Sequence, residues 1–167
     1  MNAADIFTLD NHSEIHIGWA KPEEWRALVM MTWKVFMEFD AADYEAAGVK
    51  SFFEFISDAD IHKAFLQGNY QVLVARDGDK IVGVASIRNQ VHLSLLFVEG
   101  AYHHLGIGKR LIDILENYLS NELGEGEMTV NSSPYAVEFY RKCGFMALGA
   151  ERVEKGIRFT PMKKYLR

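Results

Sequence analysis

The chain has one cysteine, Cys143, in 167 residues, so no internal disulfide framework can staple it, and this suits a reducing, cytoplasmic compartment. It has no excess of positive charge. Its 18 Lys and Arg stand against 23 Asp and Glu for a net charge of -5, which argues against a broad nucleic-acid surface. It has no run of about 18 apolar residues, so no segment reads as membrane-spanning. Met1-Asn2-Ala3-Ala4-Asp5 lacks the basic stretch ahead of an apolar one that marks a secretion signal. No Cys/His/Asp group has metal-ligand spacing. His12 and His16 are four apart, but Glu14 to Ala20 alternates like a strand, which leaves the pair without a third partner, and no metal is expected. There is no internal repeat, low-complexity segment or flexible linker, so residues 1–167 are expected to form a single domain.

What is present is an ordinary globular composition, 49% apolar and 25% charged, on a chain long enough for a sizeable core. Glu14–Trp19 alternates as a first strand. Pro22 with Glu23 and Glu24 opens a helix to about Asp40, whose apolar face includes Trp25, Leu28, Thr32, Trp33 and Phe36. A second helical region, 41–67, is expected to break near Gly48 and near Ser57. Three strands follow, 70–75, 81–87 and 91–98, joined by turns at Asp77-Gly78-Asp79-Lys80 and Asn89-Gln90. Gly106 to about Glu122 reads as an amphipathic helix, Met128–Asn131 as a strand, and Ser133-Pro134 as the capped start of a helix to Lys142. Phe145–Arg152 and Ile157–Tyr165 read as a closing pair of strands. The strand–helix–strand passage from Leu95 to Val130 should be a parallel, right-handed crossover. In a mostly antiparallel sheet, that is where two strands can splay and leave a crevice.

The most informative stretch is Leu95-Leu96-Phe97-Val98 followed by Gly106-Ile107-Gly108-Lys109-Arg110-Leu111. An apolar strand runs through a turn into a helix opened by a glycine pair, so unpaired N–H groups and the positive end of the helix dipole converge on one spot, a site for an anion such as a phosphate. It is not a P-loop, because His103 stands where the first Gly is needed and Arg110 where Ser or Thr is needed. Nor is it a dinucleotide fingerprint, whose third Gly would fall at Leu111.

Three stretches together resemble the GNAT superfamily of acetyl-CoA-dependent N-acetyltransferases. Leu96-Phe97-Val98 followed by His103-His104-Leu105-Gly106-Ile107-Gly108 stands at the place of the family's Gln/Arg-x-x-Gly-x-Gly/Ala motif. Asn131 followed by Phe139-Tyr140-Arg141-Lys142-Cys143-Gly144-Phe145 is similar to its strand-end Asn and Phe-Tyr-x-x-x-Gly-Phe helix, and Gly156-Ile157-Arg158-Phe159-Thr160-Pro161-Met162 to the last strand of several members. The resemblance implies a single-domain fold of the α/β (α+β) class, with a mixed, mostly antiparallel sheet of about six or seven strands, splayed at its centre and flanked by helices. It implies acetyl transfer from acetyl-CoA to the amine of a small molecule or protein, with no metal. A non-catalytic module that binds or senses acyl-CoA, or an enzyme for a longer acyl group, are the alternatives. Similar proteins are often homodimers.

By the same resemblance His103, His104, Gly106, Ile107, Gly108 and Lys109 would bind the pyrophosphate of coenzyme A. Phe97 and Val98 would offer backbone to its pantetheine arm, Asn131 would bond the cofactor, and Tyr140 would protonate the departing thiolate. His103, His104 and Leu105 depart from the usual Gln/Arg, Gly and basic residue, which lowers the fixed positive charge and leaves the work to backbone amides, Lys109 and whatever fraction of the two imidazoles is protonated. Candidates for the base that deprotonates the amine are His92, on the strand expected to line the crevice with Ser94 and Leu96, and Glu99. Glu38, Asp40 and Asp43 could attract a cationic acceptor but read more simply as a solvated helix end. Cys143 reads as a small residue ending a helix before Gly144.

Overall fold

The computed structural model describes residues 5–11 and 13–167. His12 of the spaced histidine pair, and residues 1–4 of the N-terminal stretch, lie outside the described residues. Among the described residues, apolar runs buried on both faces and flanking alternating stretches build a nine-stranded sheet from β1 (Asp5–Thr8), β2 (Glu14–Trp19), β3 (Gln71–Asp77), β4 (Lys80–Arg88), β5 (His92–Val98), β6 (Glu127–Ser132), β7 (Met146–Ala147), β8 (Arg152–Glu154) and β9 (Ile157–Tyr165). Strands β1 to β5 pair antiparallel in chain order. β6 joins β5 in parallel, and β9 pairs antiparallel with β6, β7 and β8. The sheet is mixed and mostly antiparallel, as expected.

The strand count exceeds the expected six or seven for two reasons. β1 is a four-residue edge strand too short to show a pattern. The expected strand Phe145–Arg152 is two pieces, because four residues, 148–151, stand against only Thr160 and Pro161 between the pairs Ala147↔Met162 and Arg152↔Phe159. Pro161 has no N–H to continue a ladder.

Helices cover both faces. On one side α1 (Trp25–Phe39), α2 (Ala46–Ile56) and α3 (Ala59–Leu66) pack over Val72, Val74, Val84 and Leu95. On the other, α4 (Ile107–Asn117) buries Ile107, Leu111, Ile112 and Leu115 against Leu73, Ala75, Ala85 and Leu93, with α5 (Val137–Lys142) beside it. Each such side chain contributes roughly 1.5–3 kcal/mol by leaving water. The break expected at Ser57 is present, since it caps the end of α2, but the one at Gly48 is not. Gly48 lies in the first turn of α2, where a Cβ would stand 2.2 Å from the Gly156 carbonyl oxygen. Glycine there permits α2 to touch the β8–β9 turn.

Candidate functional site

Gly106 caps α4 in the left-handed conformation, φ 86°, and His104 two residues earlier is also left-handed at φ 61°. The first helical bond runs from Arg110 N to Gly106 O, 3.1 Å. The N–H groups of Ile107, Gly108 and Lys109 therefore have no partner within the helix and point along its axis. Buried Ile107 pins this end of α4 to the sheet, and an open depression of about 630 Å³ beside it is lined by Leu105, Gly106, Lys109 and Arg110 among others. The orphaned amides fit a pyrophosphate.

The side chains of the turn are arranged less simply. His104 is exposed, whereas His103 turns inward, donating from Nε2 to the Val98 carbonyl at 2.5 Å and lying 4.6 Å from the Phe39 ring. Lys109 is exposed and holds Asp113 at 2.8 Å. Gly108 faces α5: a Cβ there would stand 3.1 Å from Phe139 Cζ, so its smallness serves helix packing as well as any ligand.

β5 and β6 pair only at His92↔Thr129 and Leu93↔Val130. Beyond these two pairs the strands part. Phe97 and Val98 keep their pairing with β4, Asn131 and Ser132 keep theirs with β9, and a crevice opens between them. An extended amide chain can use such an open strand edge. A β-bulge shapes β5 ahead of the opening. Ser86 stands opposite Leu95 and Ile87 opposite Leu93, so Ser94 is the extra residue. Its hydroxyl bonds Tyr70 at 2.8 Å and Ser86 at 2.7 Å. The bulge resets the alternation: Leu96 and Val98 pack on the α4 side, Leu95 and Phe97 on the α1 side. The expectation that Leu96 shares a face with Ser94 and His92 fails for this reason.

Tyr140 of α5 reaches the sheet between Phe139 and Phe145, at ring distances of 5.3 and 5.4 Å. Burial, and then the nearby Asp40, Cys143 and Tyr44, push its pKa far above the usual phenol value, so it stays protonated. Tyr44 shares this neighbourhood and is raised as well, by burial and by Asp40 and Asp43.

Neither expected base joins this cluster. His92 sits where β5 and β6 are still paired, its Nδ1 2.9 Å from Thr129 Oγ1, and burial, with Arg88 beside it, pulls its pKa down to about 4. Val98 is six positions further along the strand, roughly 20 Å away. Glu99 is buried, which opposes its ionisation, but Lys80 at 2.9 Å and Lys34 at 3.1 Å outweigh this and hold its pKa low. It is committed to two ammonium groups.

An unexpected acid does join. Asp40 is 8% exposed, not the solvated helix end its neighbourhood suggested. Burial raises its pKa, the approaching Ser133 hydroxyl opposes this and Asp43 adds to it, leaving it at about 6. Ser133 makes no capping bond to the helix it was expected to cap. The signal for Asp40 was in the sequence: Leu28, Thr32, Phe36 and Asp40 recur every fourth residue, and all four are buried. Cys143 ends α5 half-buried, with its thiol pKa raised by burial.

A family model described as acetyltransferase (GNAT) domain matches residues 40–166. Among solved structures, the chain is similar to the GCN5-related N-acetyltransferase from Rhodopseudomonas palustris, with 25% identity, a TM-score of 0.77, and 97% of this chain and 98% of that chain covered. It shares its fold with the PaiA N-acetyltransferase from Thermoplasma acidophilum in complex with coenzyme A, at 20% identity and TM-score 0.74 over 90% of this chain and 98% of that one. The same holds for the spermidine N-acetyltransferase from Vibrio cholerae in complex with CoA and spermine, at 14% identity and TM-score 0.63 over 90% and 95%. No curated protein matches the chain.

Proposed function

The chain belongs to the GNAT acetyltransferase family, and from that premise we propose that it moves an acetyl group directly from acetyl-CoA to an acceptor amine held in the crevice between β5 and β6. The observation that carries this reading is the conjunction of the parted strands with the α4 N-terminus and a buried phenol. Acetyl-CoA supplies an activated thioester. The amides of Ile107, Gly108 and Lys109, with Gly106 making the turn, hold its pyrophosphate. The backbone of Phe97 and Val98 orients the pantetheine arm. Asn131, exposed at the end of β6, and His104, on the turn, are further contacts.

Tyr140 acts as general acid. Burial keeps the phenol protonated until it is needed, and the same exclusion of water makes a leaving thiolate a stronger base than it is in solution. His103 turns toward Val98, so the assignment of anion binding rests on the amides more than on that imidazole. No helix among the described residues is long and apolar enough to cross a membrane.

The test has two arms. Calorimetry with acetyl-CoA measures binding, and thiol release in the presence of a panel of amines measures transfer. Binding together with amine-dependent release supports the proposal. Binding without release from any amine would instead support a sensing module with the same fold.

A further inference from the structure

Asp40 closes the buried stripe of α1, and its Oδ1 has no hydrogen-bond partner among the described residues. No Lys, Arg or His of the described residues forms an ion pair with it, whereas Asp43 has Arg158 at 3.9 Å and Glu99 has its two lysines. A buried carboxylate without a cation is costly, and the shortfall is relieved when a cation arrives from outside. Phe39, the residue before it, lies 4.6 Å from the His103 ring on the turn after β5 and 5.5 Å from the Tyr135 ring just past β6, which puts this end of α1 beside the crevice, with Ser133 and Tyr140 near the carboxyl.

The surroundings are aromatic. Phe36, one turn before Asp40, stacks on Phe52 at 4.1 Å and lies 5.3 Å from Tyr44; Phe52 in turn lies 5.6 Å from Phe97 on the open strand. An apolar wall thus links the lone carboxyl to the crevice.

We propose that Asp40 binds the acceptor's ammonium group and takes its first proton, and that the acceptor is a primary amine on an apolar body, not a polycation. This rests on the acetyl-transfer reading above. One unpaired buried anion matches one cation, and aromatic walls match an apolar substituent.

The protons balance. Asp40 takes one from the ammonium and later releases it to solvent. The freed nitrogen forms the new C–N bond at the thioester carbonyl as the C–S bond breaks. Tyr140 protonates the leaving sulfur, and the second proton lost by the nitrogen restores Tyr140. The groups that face Asp40 are Asp43 and Tyr44 from the turn after α1, Ser133 from the β6 end and Tyr140 from α5, with Arg158 of β9 acting through Asp43. The raised pKa of Asp40 keeps it ionised at neutral pH yet a better base than an exposed carboxylate.

The experiment compares wild type, Asp40→Asn and Asp40→Glu in acetyl-CoA calorimetry and in thiol release with 2-phenylethylamine and with spermidine from pH 5 to 9. The proposal expects Asp40→Asn to keep acetyl-CoA affinity within about twofold while kcat/KM for 2-phenylethylamine falls about 100-fold or more. It also expects the wild-type decline in kcat/KM below about pH 6 to vanish in Asp40→Asn and to return in part in Asp40→Glu. Wild type should prefer 2-phenylethylamine to spermidine by about tenfold or more. An Asp40→Asn enzyme within about threefold of wild type on a good acceptor overturns the role of Asp40 and leaves acetyl transfer standing. A preference for spermidine overturns the acceptor class. The wild-type pH profile and amine preference do not depend on the variant folding. If wild type releases no thiol with any amine, both this proposal and the acetyl-transfer reading fall.

Discussion

His103 donates its Nε2 proton to the carbonyl oxygen of Val98, 2.5 Å away. That carbonyl ends the open strand on which the pantetheine arm is proposed to lie. An incoming amide N–H that approaches along the same direction competes with the imidazole, and a bond of this kind contributes about 0.5–1.5 kcal/mol net. Removing the competitor should therefore tighten binding. His103→Ala is expected to lower the Kd for acetyl-CoA by roughly threefold to tenfold. Calorimetry checks it. Weaker binding in a folded variant would mean that the imidazole contacts the ligand itself.

Tyr140→Phe keeps the ring between Phe139 and Phe145 and removes the one proton the proposed mechanism needs. Turnover should fall roughly 100-fold or more, with acetyl-CoA affinity unchanged. Rates within about twofold on a good acceptor would reduce Tyr140 to a packing residue.

The order of elements is legible in the sequence because β2 and β6 alternate, β3 and β4 are apolar runs bounded by turn residues, and α4 has a clean apolar face. The Gly106-Ile107-Gly108 turn was legible for the same reason: a strand, a left-handed cap and a helix can follow one another in few ways. Three features were not. The β5 bulge at Ser94 depends on hydrogen bonds to Tyr70 and Ser86, which are distant in sequence, so strict alternation puts Leu96 on the face of His92, and the bulge undoes this. Gly48 reads as a helix breaker in the sequence because its reason for being glycine, the Gly156 carbonyl, comes from the far end of the chain. Asp40 reads as solvated because an acid at a helix end ordinarily is. Its place on the Leu28-Thr32-Phe36 stripe outweighs that rule.

The Gly48–Gly156 contact makes its own prediction. A methyl group at Gly48 would stand 2.2 Å from a backbone oxygen, which cannot swing aside as a flexible side chain can. Gly48→Ala should cost roughly 3 kcal/mol, at the upper end of overpacking, and lower Tm by roughly 6–12 °C. A thermal melt decides it. A drop under about 2 °C would mean that the β8–β9 turn moves away from α2 at little cost.

Asp40 and His92 make the last prediction, because they titrate in one window with opposite signs. Asp40 has its pKa raised from 3.8 to about 6 by folding, so between these values the folded chain holds a proton that the unfolded chain has lost. Its contribution to stability is present at low pH and is lost as pH rises through about 6. His92 has its pKa lowered from 6.5 to about 4, so the unfolded chain takes up the proton first. Its contribution is present above pH 6.5 and is lost as pH falls toward 4. Each shift corresponds to at most about 3 kcal/mol, so the two largely offset in the wild type. Substitution unmasks them. Asp40→Asn should be more stable than wild type at pH 8, by up to about 3 kcal/mol, and should lose that advantage as pH falls toward 4. His92→Gln should do the reverse, gaining stability relative to wild type as pH falls from about 6.5 to 4. Urea unfolding at about pH 4.5, 6 and 8 measures all three. Parallel pH profiles for wild type and Asp40→Asn would mean that Asp40 ionises in the folded protein as it does in water, and the case for it as a buried counter-charge to an amine would go with it.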